Sequence, residues 1–168
     1  MLVVTDIHNT SPHKCLLNKR QEYLSLATLC GHRALSGAPL HQHLFESGGI
    51  DEVVRGLVDT ITAPCVALGY SAGGYALWRA AMAGAPITRL FCLSSTRLRQ
   101  VPPIPIPTHV FFGADDPNIP SETWMSKVPD HVSIFPNTDH SYYCDPSSTA
   151  WQETRLIISE YLPHIAQY

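Results

Sequence analysis

The chain has 168 residues, enough for one domain with a sizeable core. Apolar residues make up 45% and charged residues 15%, a globular composition that is neither disordered nor membrane-spanning. The formal charge is −3 with no Lys/Arg cluster, so nothing points to a nucleic-acid partner, and no apolar run is long enough to cross a bilayer.

The first residues, Met1-Leu2-Val3-Val4-Thr5-Asp6, lack the basic start and long apolar run of a signal peptide. Residues 1–5 read instead as a buried strand. The five cysteines, Cys15, Cys30, Cys65, Cys92 and Cys144, are odd in number, and Cys65 and Cys92 fall in apolar runs. They are expected to be reduced, in a cytoplasmic protein, and the absence of a CxxC pair argues against a cysteine zinc site.

Further along, residues 18–29 read as a helix stopped by Gly31, residues 32–35 as a short second strand, and residues 36–48 as a Gly/Pro/Ser/His-rich loop. Ile50, Val53, Val54, Leu57, Val58 and Ile61 follow helical spacing up to the breaker Pro64. Residues 65–68 form the next strand, 72–83 an Ala-rich helix, 90–93 a strand, and the proline-rich 101–107 an extended connection. Residues 108–112 are a strand, 121–127 a short helix and 132–135 a final strand. Asp145-Pro146 reads as an N-cap with Pro at the first helical position, opening a helix whose face runs from Ala150 to Leu162.

Apolar strands alternating with helices predict an α/β fold: a doubly wound, mainly parallel sheet of six strands in the order 2-1-3-4-5-6, with helices on both faces. The chain is expected to be one domain over 1–168 without a separate lid domain. Such sheets bind ligands at the carboxyl ends of their strands, so chemistry should lie just after strands.

Gly69-Tyr70-Ser71-Ala72-Gly73-Gly74 follows a strand and opens a helix. A serine on a sharp strand-to-helix turn needs small neighbours on both sides, which accounts for Gly69 and Gly73. It also sits where free helix N–H groups favour developing negative charge, with the Ala72 N–H as the natural first oxyanion donor. Ser71 is therefore the candidate nucleophile. Serine needs a base, and the base needs an orienting carboxylate. Asp115 and Asp116 follow a strand and compete for the carboxylate role. His140, among nine histidines, is singled out by its place after the last strand.

These segments resemble the α/β-hydrolase superfamily in a small, lidless form. The matches are Gly-Tyr-Ser-Ala-Gly-Gly at 69–74, Gly-Ala-Asp-Asp-Pro-Asn-Ile-Pro at 113–120 and Asp-His-Ser-Tyr at 139–142. The second resembles a Gly-x-x-Asp-x-x-hydrophobic-Pro pattern and selects Asp116 over Asp115. The third resembles the dienelactone-hydrolase and lysophospholipase-like branch. The resemblance implies a Ser71–Asp116–His140 triad and hydrolysis of an ester-type bond, with no cofactor. The family's His-Gly pair after its first site-bearing strand is replaced by Thr5-Asp6-Ile7-His8, so the Ile7 N–H becomes the second oxyanion donor by position.

Under this reading Asp6 and His8 line the mouth of the site, with Tyr70, Tyr142 and Tyr143 as further pocket residues. Asp6-x-His8 also resembles the first element of metallophosphoesterases, and His41 and His43 could join it, but the rest of the ligand pattern that should follow later strands is missing, so no metal is expected. His41-x-His43 reads as a solvated loop feature, and Trp78 and Trp151 as core. The substrate expected is a small ester or thioester, in a site that is open, or capped by residues 36–48 or by a second copy of the chain in a homo-oligomer. A non-catalytic binding protein on the same scaffold, and acyl transfer by the same residues, are the alternatives.

Overall fold

The computed structural model describes residues 1–8 and 21–162. Six strands form one parallel sheet in the order β2-β1-β3-β4-β5-β6. They are β1 (Leu2–Val4), β2 (Glu22–Leu24), β3 (Cys65–Tyr70), β4 (Ile87–Leu93), β5 (Thr108–Gly113) and β6 (His131–Phe135). Helices α1 (Leu26–Leu29), α2 (Gly37–Glu46), α3 (Gly49–Thr60), α4 (Ala72–Met82), α5 (Glu122–Lys127) and α6 (Thr149–Tyr161) complete the described fold. No helix among the described residues is long and apolar enough to cross a membrane.

Because side chains alternate across a strand, each central strand feeds two cores. Leu90, Cys92, Val110 and Phe112 join Leu57, Leu77 and Trp78 on one face. Phe91, Leu93 and Phe111 join Tyr70, Trp151 and Ile158 on the other. Burial on both faces explains why these strands read as continuous apolar runs. The proline-rich connection is pinned by two indoles: Trp78 Nε1 donates to Pro102 O at 3.0 Å and Trp124 Nε1 to Val101 O at 3.2 Å. Cys30, Cys65, Cys92 and Cys144 are free thiols, and Cys15 lies outside the described residues.

Three local expectations are corrected. First, the second strand is Glu22–Leu24, inside the span expected to be helical, and residues 32–35 form no strand. Pairing with β1, Leu2 opposite Glu22, overrides helical preference there. Ser25 then restarts the chain as an N-cap, its Oγ accepting from the Thr28 N–H at 3.1 Å, so only four residues of helix follow. Residues 18–20 of that expected helix lie outside the described residues.

Second, most of the expected loop at 36–48 is helix α2. Leu40 and Leu44, one turn apart, are fully buried and supply the apolar stripe. Pro39 is tolerated because it falls in the first turn, where the N–H has no intrahelical acceptor. Third, α6 is capped at Ser148, not Asp145. Asp145 instead closes a turn upstream, its Oδ1 accepting from Ser147 N at 2.9 Å and Ser147 Oγ at 2.7 Å.

A buried histidine gives the fold an acid sensitivity. His109 on β5 stacks on Phe111 at 4.2 Å between ring centroids and shares a hydrogen bond with Ser133 Oγ at 2.9 Å. Burial first, then the nearby His131 and Arg89, lower its pKa from 6.5 to about 4. Above pH 6.5 it is neutral in both the folded and unfolded chain and contributes no pH dependence. Between 6.5 and about 4 the unfolded chain takes up a proton that the folded chain refuses, so stability falls as pH falls. The full effect is on the order of 3 kcal/mol. Denaturant titrations from neutral pH down through this window should therefore show a stability loss in the wild type that His109→Phe largely removes.

Candidate active site

The candidate site lies at the carboxyl ends of β1, β3, β4, β5 and β6, as the parallel sheet requires. Ser71 is the residue between β3 and α4, with φ 48° and ψ −115°. A non-glycine residue at such a positive φ is strained by roughly 1–3 kcal/mol. Neighbouring contacts hold the turn in place. The Ser71 N–H donates to Leu93 O at 2.7 Å. A Cβ on Gly69 would stand 2.3 Å from Gly74 N, and one on Gly73 would stand 2.5 Å from the carbonyls of Val4 and Thr5. The turn is thus wedged between its own helix and the end of β1, with Ser71 Oγ pushed out over the sheet.

The second element is the turn after β5. Asp116 is 2% exposed, whereas Asp115 is exposed and its N–H donates to Thr138 O at 2.9 Å. Asp116 Oδ1 accepts from the Asn118 N–H at 2.9 Å, which orients the carboxylate. The third element is the turn after β6. It passes close enough to Gly113 that a Cβ there would meet Thr138 O at 2.2 Å. Asn137, at φ 51°, reverses the chain, and Asp139 Oδ1 accepts from the Ser141 N–H at 2.8 Å.

These turns bring Ser71, Asp116 and His140 together. The Nδ1–H of His140 donates to Asp116 Oδ2 at 2.5 Å, and the Ser71 hydroxyl lies 3.1 Å from His140 Nε2. With Nδ1 carrying the proton, Nε2 presents a lone pair to Ser71. The buried carboxylate holds that tautomer, while the imidazole remains partly open to solvent.

A cleft of about 350 Å³ opens over Ser71. Ala72 and Ile7, the expected oxyanion donors, both border it, and Ala72 is the first residue of α4, where the N–H lacks an intrahelical acceptor. Asp6 and His8 border it too. Asp6 itself is buried, its carboxylate accepting from the His8 N–H at 2.9 Å and from the Tyr143 hydroxyl at 3.1 Å. Burial first, then the Asp6 charge, keeps the Tyr143 phenol protonated far above its usual range. A larger hollow of about 690 Å³ lies at the opposite ends of the strands, around Met1, Glu22 and Cys65, and its described lining holds no histidine.

Two expected pocket residues are not in the cleft. Tyr70 is 1% exposed, buried behind the cleft-lining Tyr143 and packed on Trp151. Tyr142 is likewise buried, against Phe135. The far wall comes from residues whose role the linear pattern does not disclose: Phe45 on α2, and Thr96 and Arg97 just after β4. His41, expected to be solvated, belongs to this wall: it accepts from the Arg97 guanidinium at 3.1 Å, and that guanidinium lies 3.6 Å over the Phe45 ring. Arg97 follows the carboxyl end of a strand, the one signal that could have marked it. Cys144 also borders the cleft, but partial burial and the Asp6 and Asp139 charges raise its thiol pKa. That keeps the thiol protonated and weakly nucleophilic at neutral pH.

No family model matches the chain, and no curated protein matches it. Solved structures do. A putative dienelactone hydrolase from Klebsiella pneumoniae subsp. pneumoniae MGH 78578 superposes with a TM-score of 0.61 at 14% identity, covering 95% of this chain and 86% of that one. ClbQ from the colibactin NRPS/PKS pathway gives 0.58 at 13% identity, with 95% and 96% covered. The RedJ thioesterase of prodiginine biosynthesis in Streptomyces coelicolor gives 0.55 at 14%, with 96% and 84% covered. The strand order, the helices on both faces and these superpositions together show that the chain has the α/β-hydrolase fold.

Proposed function

We propose that the protein is a serine hydrolase that cleaves a small carboxylic ester or thioester through an acyl-enzyme on Ser71. The observation that carries this reading is the continuous relay from Ser71 Oγ to His140 Nε2, 3.1 Å, and from His140 Nδ1 to Asp116 Oδ2, 2.5 Å. A protein that kept only the scaffold would have no reason to retain a strained serine in line with a base and a buried carboxylate. The hydrolases and thioesterases among the structural neighbours favour the same chemistry.

In the acylation step His140 Nε2 takes the Ser71 proton as Oγ bonds to the carbonyl carbon. The resulting oxyanion is held by the N–H groups of Ala72 and Ile7. The tetrahedral intermediate collapses by breaking the bond to the leaving alcohol or thiol, which receives the proton from His140. Water then attacks the acyl-enzyme, giving its proton to His140, and Ser71 Oγ departs with that proton as the acid is released. Asp116 stabilises the imidazolium in both steps. The cleft, near the lower end of ligand-pocket sizes, favours a short acyl group.

Labelling tests this reading directly. Folded protein treated with a fluorophosphonate should carry one adduct, on Ser71 by peptide mass spectrometry. Folded protein that takes up no label at Ser71 would overturn the proposal.

A further inference from the structure

Outside the cleft, three potential metal ligands converge from three separate elements. His32 lies in the turn after α1, His43 on α2 and Glu52 in the first turn of α3. One ligand atom from each lies within 4.8 Å of the others. His43 Nε2 and Glu52 Oε2 are 3.4 Å apart, and the two imidazole rings are 4.2 Å apart between centroids. Donors around 2.0–2.2 Å from a tetrahedral zinc ion stand roughly 3.2–3.6 Å from one another, so the His–Glu pair is already at that spacing, and the His32 ligand atom lies within 4.8 Å of both.

Two further observations point to a ligand. His43 Nε2 is buried and makes no hydrogen bond, its approach to Glu52 being too poorly directed to count as one. A buried imidazole nitrogen without a hydrogen bond is costly, and with a carboxylate oxygen 3.4 Å away a shared cation would satisfy both atoms at once. The site is also built with room for that ring. It lies over Gly49, where a Cβ would stand 2.5 Å from His43 Nε2.

From this geometry we infer that His32, His43 and Glu52 form a binding site for a divalent transition metal, Zn²⁺ being the best match for two imidazoles and one carboxylate. Water would complete the coordination. The site is independent of the hydrolase reading. It ties α2 to α1 and α3 through His43. On the opposite side of α2, about 200° around the helix axis, His41 and Phe45 face the cleft. A metal here would brace the helix that forms the cleft wall without touching the reacting atoms.

The test is calorimetric titration of the metal-free chain with ZnCl₂ at neutral pH, paired with thermal melts. The expected result is one Zn²⁺ per chain and a Zn²⁺-dependent rise in Tm. His32→Ala and Glu52→Gln should each weaken binding by at least about tenfold and abolish the rise in Tm. His140→Ala should bind as the wild type does, which separates this site from zinc captured by the catalytic histidine. Both substitutions for the ligands are on exposed side chains, so folding is preserved. Absence of binding by the wild type, binding that survives in His32→Ala and Glu52→Gln, or binding lost only in His140→Ala would each overturn the inference.

Discussion

Ser71→Ala is expected to reduce turnover of a short-chain ester such as p-nitrophenyl acetate by about 10⁴–10⁶-fold. The fold should be unaffected. Alanine meets the same backbone strain at φ 48° as serine does, and among the described residues the only polar contact of the side chain that is removed is the one to His140. Stability should therefore stay within about 1 kcal/mol of wild type. Initial rates together with far-ultraviolet circular dichroism and thermal melting check both halves of the expectation. A variant that is folded and keeps more than about a hundredth of the wild-type rate would mean that Ser71 is not the nucleophile. The residual rate has a meaning of its own, since the N–H groups of Ala72 and Ile7 would still polarise a bound carbonyl.

Asp116→Asn is expected to lower kcat by about 10³–10⁴-fold, whereas Asp115→Asn should stay within about twofold. Asparagine at 116 keeps an oxygen for the Asn118 N–H, so the turn after β5 should hold. It offers an N–H₂ group to His140 Nδ1, however. That favours the tautomer in which Nδ1 accepts and Nε2 carries the proton, and Nε2 can then no longer take the Ser71 proton. Asp115 is exposed and holds its place through its backbone, donating to Thr138 O at 2.9 Å, so its side chain is dispensable. Steady-state kinetics on both variants separate the two acids. Equal losses in the two would indicate that the turn, rather than the Asp116 carboxylate, is what matters.

These expectations rest on residues of unequal visibility in the linear chain. Ser71 announces itself because its constraint is local: glycines two positions to either side, a strand before and a helix after. Asp116 and His140 are legible as positions after strands, and their partnership follows from order along the chain. Phe45 and Arg97 are not legible. Phe45 sits in a Gly/Pro/Ser/His-rich stretch whose helix is stabilised by burying Leu40 and Leu44 in the shared core, a tertiary effect. Arg97 gains its place only when α2 brings His41 and Phe45 to it. Tyr70 and Tyr142 fail as pocket residues for the converse reason. Adjacency to a site residue in sequence does not fix direction, and alternation along β3 turns Tyr70 into the core formed with Trp151 and Ile158.

By itself, then, the sequence determined the parallel six-stranded sheet, its strand order and the three turns that carry Ser71, Asp116 and His140. Those features depend on hydrophobic periodicity, on glycine where a side chain would collide with backbone, and on chain order, all of which are written locally. Only the tertiary structure decided that Glu22–Leu24 is the edge strand, that α2 walls the cleft, and that His32, His43 and Glu52 meet. Each of these arises where a segment of weak local preference takes its conformation from distant partners, through β1 pairing in one case and core burial of Leu40 and Leu44 in the other. The free energy that settles such segments belongs to contacts between elements, which no single stretch of the chain encodes.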